Sequence, residues 1–296
     1  MSSRRGTGTV LASYGRGVLV QADDVTLNCG LKGRRQRLVC GDRVQWVIGA
    51  ADDAPVVDAL EPRRNVFERI DARGRAEPVA SNLDRLAIVV APEPAPDWFV
   101  VDRFWAAARL KEIPALLIVN KADLGVHSLE KELAAYRGLG LPCSEISALT
   151  GLQVPALRAS IGAGATLLVG QSGVGKSSLV NALVPDAEAQ TAALTRDVEG
   201  RHTTTTARRY RLPVSSHAVV IDAPGVRDFA PPESLVRAAE LGFVEVREFA
   251  AGCRFNDCRH LEEPGCAVRS GVLAERIAPR RYESYRRLCR LYEKLN

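Results

Sequence analysis

The chain contains no run of about 18 apolar residues, so no stretch of it suits a membrane-spanning helix. Its first residues, MSSRRGTGTV, have none of the apolar core that a secretory leader carries. Both absences point to the cytoplasm and away from a membrane partner. No internal repeat and no low-complexity tract is present, which sets aside repeat architectures and biased linkers. Charge is not extreme either. The 40 Lys and Arg against 35 Asp and Glu leave a net of +5, which permits a nucleic-acid partner without demanding one. Cysteines number seven and are unevenly placed. Cys29, Cys40, Cys143 and Cys289 are scattered, whereas Cys253, Cys258 and Cys266 share one short segment. In a cytosolic chain such clustering favours metal over disulfides.

What is there is a globular composition, 46% apolar and 25% charged over 296 residues, with room for about two domains and a small third. Residues 1–78 read as short strands: GTVLAS, GVLVQA, VTLNCG and DRVQWVIG, separated by Gly, Asp or Asn. With no helix between them, they suggest a small barrel of OB type. Lys32, Arg34, Arg35 and Arg37 crowd one loop there, either as a solvated face or as RNA-backbone contacts. From 79 to 230 apolar runs such as LDRLAIVVAP and PALLIVNKAD alternate with helical spacing, which predicts an α/β domain whose mostly parallel sheet is covered on both faces. Residues 231–296 turn polar and helical. The end spaces Tyr282, Tyr285, Leu288 and Leu291 along one helical face, with Arg281, Arg286, Arg287 and Arg290 largely off it. Pro279 suits the first turn of that helix.

The stretch Gly170-Gln171-Ser172-Gly173-Val174-Gly175-Lys176-Ser177 satisfies G-x-x-x-x-G-K-[ST] at every position. It stands between a predicted strand, Thr166–Val169, and a predicted helix through Leu183. Glycines let backbone N–H groups turn inward around phosphate oxygens, and the helix adds the positive end of its dipole. Lys176 is expected to reach the β- and γ-phosphates, Ser177 to ligate Mg²⁺, and Ser178 to complete the nucleotide contacts. Asn120-Lys121-Ala122-Asp123 follows a buried strand and so sits at a sheet edge where ligands bind. Asp123 can accept two hydrogen bonds from guanine N1–H and its amine, a pair that adenine does not offer. Asn120 would brace the loop and the Lys121 stem would cover the base. A strand-end Asp can equally be a simple cap, so this motif needs company.

Company comes from three further places. Ser147 and Ala148, in SEISALTG, would present backbone N–H groups to guanine O6. Asp222, in VVIDAPG, ends a strand and would hold a magnesium-bound water, while the Gly225 N–H would sense the γ-phosphate. The intervening EGRHTTTTARRY reads as a loop able to close on metal and phosphate. One of Thr203, Thr204 or Thr205 would supply a second hydroxyl ligand, assigned here to Thr204. Finally, Cys253-x₄-Cys258-x-His260-x₅-Cys266 offers three thiolates and one imidazole, a closed tetrahedral Zn²⁺ site and hence a structural one.

Together, NKAD, SA, GQSGVGKSS, HTTT and DAPG resemble the five signatures of a G protein in rotated order. New termini at an exposed loop would produce that order without changing the fold. Over essentially its whole length the chain resembles the circularly permuted GTPases that act on the small ribosomal subunit, the RsgA or YjeQ family. The resemblance implies an OB barrel, a permuted GTPase domain and a zinc-binding helical domain. It also implies Mg²⁺-dependent hydrolysis of GTP to GDP and phosphate, stimulation by the small subunit, rRNA contact and a role in late subunit maturation. A monomer with no DNA partner is expected. Val226 follows Gly225 where many G proteins place a water-orienting Gln, and the resemblance makes His202 the candidate for that task. The rival readings are an RNA-binding scaffold that holds nucleotide without hydrolysing it, and an ATPase or kinase, which Asp123 disfavours.

Overall fold

The computed structural model describes residues 4–14, 17–31, 37–49, 54–70, 75–187, 207–213, 218–223 and 242–295. Strands β1 (Arg4–Tyr14), β2 (Gly17–Ala22), β3 (Val25–Leu31), β4 (Arg43–Ile48) and β5 (Val56–Leu60) close into a barrel. Their order is β1-β2-β3-β5-β4, with β1 bonded to both β2 and β4 and with β3 parallel to β5. This is the OB-type barrel that the first segment predicts. Branched side chains at alternate positions, Val10, Val18, Val20 and Val44 among them, fill its narrow interior. A hairpin follows, β6 (Val66–Ile70) and β7 (Ala76–Ser81). Barrel and hairpin are pinned by the fully buried Asp42. Its carboxylate accepts from Ser81 Oγ (2.6 Å), Arg63 Nε and Nη2 (2.7 and 2.8 Å) and the Val39 N–H (2.9 Å).

The central sheet contains β8 (Arg85–Val90), β9 (Ala115–Val119), β10 (Cys143–Glu145), β11 (Gly164–Gly170), β12 (Arg208–Arg211) and β13 (Ala218–Asp222). Their order is β10-β9-β8-β11-β13-β12, parallel except for β12. Helices cover both faces, which is why these strands read as continuous apolar runs. Leu86, Ile88, Val90, Leu167 and Val169 pack against α1 (Trp98–Leu110) and α2 (Glu130–Gly138). The alternate residues Ala87, Val89 and Leu168 pack against α3 (Val154–Ile161) and α4 (Lys176–Leu183).

Helices α5 (Val244–Ala250), α6 (Ala267–Leu273) and α7 (Pro279–Leu295) form the C-terminal unit around Phe243, Val246, Val268, Tyr285 and Leu288. Ala106 of α1 belongs to the same core. The approach there is close enough that a Cβ on Gly242 would stand 2.3 Å from the Ala106 Cβ. The sequence pattern puts Arg281 with the solvated arginines of α7, and the structure corrects that. Arg281 is 1% exposed. It donates to Glu245 Oε1 and Oε2 (2.7 and 3.1 Å) and to Asp102 Oδ1 (2.6 Å). Two carboxylates and the rings of Phe243, Trp105 and Tyr136 make burial of this cation tolerable. Arg287 and Arg290 are exposed, as expected. Among the described residues no helix is long and apolar enough to cross a membrane.

Candidate nucleotide site and metal centre

Parallel strands deliver their C-terminal ends to one edge, and those predicted motifs that fall in the described residues lie there. β11 runs directly into the Gly170–Lys176 loop, and α4 begins at Lys176. Two glycines are needed for space as well as for dihedral angle. A Cβ on Gly170 (φ +146°) would lie 2.2 Å from the Val89 carbonyl oxygen. One on Gly175 (φ +86°) would lie 2.4 Å from Asn120 Nδ2. Lys176 Nζ donates to the carbonyls of Gly170 (2.8 Å) and Gln171 (2.7 Å), so the ammonium lies folded along the loop. Ser172 and Gly173 are exposed, Val174 is buried beneath the loop, and Ser177 and Ser178 are exposed on the first turn of α4.

Asn120, at the end of β9 and 1% exposed, ties three motifs together. Its Nδ2 donates to the carbonyls of Val174 (2.9 Å) and Gly175 (3.3 Å), and its Oδ1 accepts the Ala148 N–H (3.0 Å). Next to it, Lys121 adopts a left-handed backbone (φ +59°) and its Nζ donates to the Glu93 carbonyl (2.8 Å). Asp123 is exposed in the following turn, Ala122–Leu124, and the Ala122 N–H is bonded to the Ile146 carbonyl (2.9 Å). The two donors expected to face guanine O6 are both engaged within the protein. The Ser147 N–H donates to the Leu152 carbonyl (3.1 Å) and the Ala148 N–H to Asn120. Ser147, fully buried, also accepts the Thr150 N–H at its hydroxyl (3.1 Å), so it shapes the turn. One contact escapes sequence reading altogether. Gln171 Oε1 accepts the Asp97 N–H (2.8 Å), which fixes the start of α1 to the phosphate loop.

Asp222 ends β13, in register with Leu168 of β11. Burial pushes its carboxyl above the ordinary value, opposed by the positive charges of Lys176 and Arg208. A half-buried carboxyl at this strand end and the exposed hydroxyls of Ser177 and Ser178 are oxygen donors of the type Mg²⁺ takes. His202, Thr203, Thr204, Thr205, Gly225 and Val226 lie outside the described residues, as do Lys32, Arg34 and Arg35 of the basic loop.

The zinc ligands predicted from spacing converge. The donor atoms of Cys253, Cys258, His260 and Cys266 all lie within 4.8 Å of one another. Cys253 Sγ stands 3.9 Å from Cys266 Sγ, and His260 Nδ1 stands 3.4 and 3.6 Å from those two sulfurs. A tetrahedral Zn²⁺ with bonds of about 2.3 Å to sulfur and about 2.0 Å to nitrogen sets edges of about 3.8 and 3.5 Å. These three separations match those edges, and a Zn²⁺ held here would take Nδ1 as its imidazole donor. Burial pushes the Cys258 thiol up to about 12 and raises Cys266 as well, so both ionise readily only against a cation. The surrounding loop is fixed from two sides. Tyr282 and Tyr285 of α7 donate to the carbonyls of His260 (2.7 Å) and Arg259 (2.9 Å). The Glu263 carboxylate accepts the N–H groups of Arg259, Leu261 and Glu262.

Comparison with known proteins gives a consistent result. Residues 60–231 match the family model described as RsgA GTPase. A protein of Azotobacter vinelandii named small ribosomal subunit biogenesis GTPase RsgA is 42% identical over 291 residues, covering 95% of this chain and 84% of its own. The crystal structure of YjeQ from Thermotoga maritima superposes with a TM-score of 0.74 at 25% identity over 99% of each chain. That of YloQ, described as a circularly permuted GTPase, gives 0.72 at 22% identity over 99% of this chain and 96% of that one. With a family model covering more than half of the chain, a close relative along nearly all of it, and a nucleotide edge built in rotated order, the chain belongs to the RsgA GTPase family.

Proposed function

We propose that this GTPase binds the small ribosomal subunit and its rRNA, assists a late step in that subunit's maturation, and hydrolyses GTP to GDP and phosphate at a rate the subunit raises. The observation that carries the site reading is the Asn120 side chain, which bonds the phosphate loop and the Ser147–Ala148 turn at once. It makes one pocket edge of segments that a chance set of motifs would leave apart. In this reading Asp123 pairs with guanine, the Lys121 stem covers the base, and the inward N–H groups from Gly170 to Ser178 hold the phosphates. Lys176 leaves its loop carbonyls for the β–γ bridge. Ser177, Thr204 and, through water, Asp222 would hold Mg²⁺, which would offset the charge gathering on the leaving phosphate. Thr203, Thr205 and Gly225 serve the γ-phosphate, and His202 orients the attacking water in place of the side chain that Val226 lacks.

Residues 1–78 and 231–296 are the RNA-binding flanks of a GTPase domain spanning 79–230, with Zn²⁺ holding the C-terminal flank together. Arg287 and Arg290, exposed on α7, and the barrel's basic loop serve rRNA phosphates. The protein acts in the cytoplasm as a monomer. Phosphate release from GTP and from ATP, with and without small subunits, is the direct test. We expect slow turnover of GTP alone, a marked rise with subunits, and little ATP turnover. Ser177→Ala should abolish the rise. Asp123→Asn should erase the preference for GTP over ATP, and a preference left intact would end the guanine assignment.

A further inference from the structure

Helix α1 runs between the nucleotide edge and the zinc-bearing unit, and it is held at both places. At its start the Asp97 N–H donates to Gln171 Oε1 of the phosphate loop (2.8 Å), while the Asp97 carboxylate caps the helix through the Phe99 N–H (3.0 Å). Five residues on, about 7.5 Å along the helix axis, stands Asp102, fully buried. Its Oδ1 accepts from Tyr136 Oη (2.5 Å) and Arg281 Nη1 (2.6 Å), and its Oδ2 from Arg280 Nη1 (2.7 Å). Arg281 is itself clasped by Glu245 of α5, and Arg280 by Glu132 of α2 (2.6 Å). The next turns of the same helix α7 carry Tyr282 and Tyr285, whose hydroxyls hold the carbonyls of His260 and Arg259 in the zinc loop. Hydrogen bonds and two helices make a continuous path between the two sites. It passes from loop to helix N-terminus, along less than two turns of α1, through a buried ion cluster, and along one turn of α7 to the metal ligands.

A buried guanidinium shared by two carboxylates is a poor sliding surface. Any displacement that opens one pair leaves an uncompensated charge away from water. A small shift of α1 imposed at Gln171 is therefore passed to α7 rather than absorbed. We propose that Asp102 is a positioning residue that couples nucleotide occupancy to the grip on zinc. Nucleotide on the phosphate loop steadies α1, and Asp102 transmits that steadiness through Arg280 and Arg281 to the zinc loop. The coupling is reciprocal by thermodynamic necessity, so loss of zinc weakens nucleotide binding by the factor that nucleotide strengthens zinc binding. The inference rests on the reading that this loop takes a guanine nucleotide.

The test uses the zinc-loaded full-length chain. Zinc release to a chromogenic chelator is timed with and without saturating Mg²⁺-GDP, and GDP binding is measured calorimetrically on the same samples. We expect GDP to slow release about fivefold or more in the wild type. In Asp102→Asn the ratio of the two rates should fall to about one while GDP still binds. A purely structural role for Asp102 would speed both rates alike and leave the ratio untouched, which would overturn the proposal. So would a wild-type release rate indifferent to bound GDP. Arg280→Gln, at the partly exposed side of the cluster, should lower the same ratio and serves if Asp102→Asn fails to fold. Failure to bind GDP at all would instead remove the nucleotide reading, and the coupling with it.

Discussion

At the scale of single residues, Asn120 and Asp222 illustrate two kinds of importance. Removing the Asn120 amide leaves the carbonyls of Val174 and Gly175 and the Ala148 N–H without the partner that fixes them. Each buried polar group left unpaired costs about 1–3 kcal/mol. Asn120→Ala is therefore expected to weaken GDP binding by about a hundredfold and to lower the melting temperature; calorimetry and a thermal scan check both. Asp222 works in the other sense. Its carboxyl is raised in the folded protein by burial, so between the ordinary carboxylate pKa and the raised one the unfolded chain has already lost its proton and the folded chain has not. Its contribution to stability is greatest below the ordinary value and is lost as pH rises through the raised one. Asp222→Asn should accordingly raise the melting temperature of nucleotide-free protein at pH 7, shrink that gain toward pH 3, and still abolish Mg²⁺-dependent turnover. A lower melting temperature at pH 7 would contradict the burial argument. These motifs were legible because each is contiguous in sequence. The bracing role of Asn120 was legible too, but its partners were not, because they stand far along the chain, and neither was the engagement of the Ser147 and Ala148 donors.

At the scale of elements, legibility followed length and periodicity. β2 and α4 match their patterns closely, since a run of branched residues and a Lys-to-Leu helical turn stopped before Pro185 are strong local signals. β5, of five residues, is too short to declare a period, although it closes the barrel between β3 and β4. Helix α7 shows the limit of amphipathic reasoning. Tyr285 and Leu288 are buried as the stripe requires, yet Arg281 is buried too, because its partners come from α1 and α5 and leave no trace in α7's own spacing. Arg281→Met would take the guanidinium from the buried Glu245 and leave Asp102 with Arg280 and Tyr136 alone. Removing one partner of a buried ion cluster costs about 3–5 kcal/mol, and a fall in denaturation midpoint of that size is expected. Arg290→Met, on the exposed face of the same helix, should leave the midpoint unchanged. Equal effects from the two would mean that the cluster contributes no more than a surface charge.

At the scale of the whole molecule, the units are joined by charged clasps: Asp42 with Arg63 and Ser81 between barrel and hairpin, and Asp102 with Arg280 and Arg281 between sheet and C-terminal helices. The C-terminal unit has a small core in which Cys258 and Cys266 are themselves members, so a metal held by the Cys253, Cys258, His260 and Cys266 cluster would be bound within the packing. Structural zinc commonly supplies much of the folding free energy of units this size. Removing it should therefore not unfold the protein evenly. The loop from Cys253 to Cys266 loses what holds its thiolates together, while the first turns of α7 remain anchored from the other side by Asp102, Glu132 and Glu245. Hydrogen exchange before and after chelation should show protection lost over 253–273, kept in the first turns of α7, and unchanged in the barrel and central sheet. If α7 were released together with the loop, the ion cluster would be holding α7 only through the metal. If the barrel exchanged faster as well, the clasps would be carrying the strain across the entire chain.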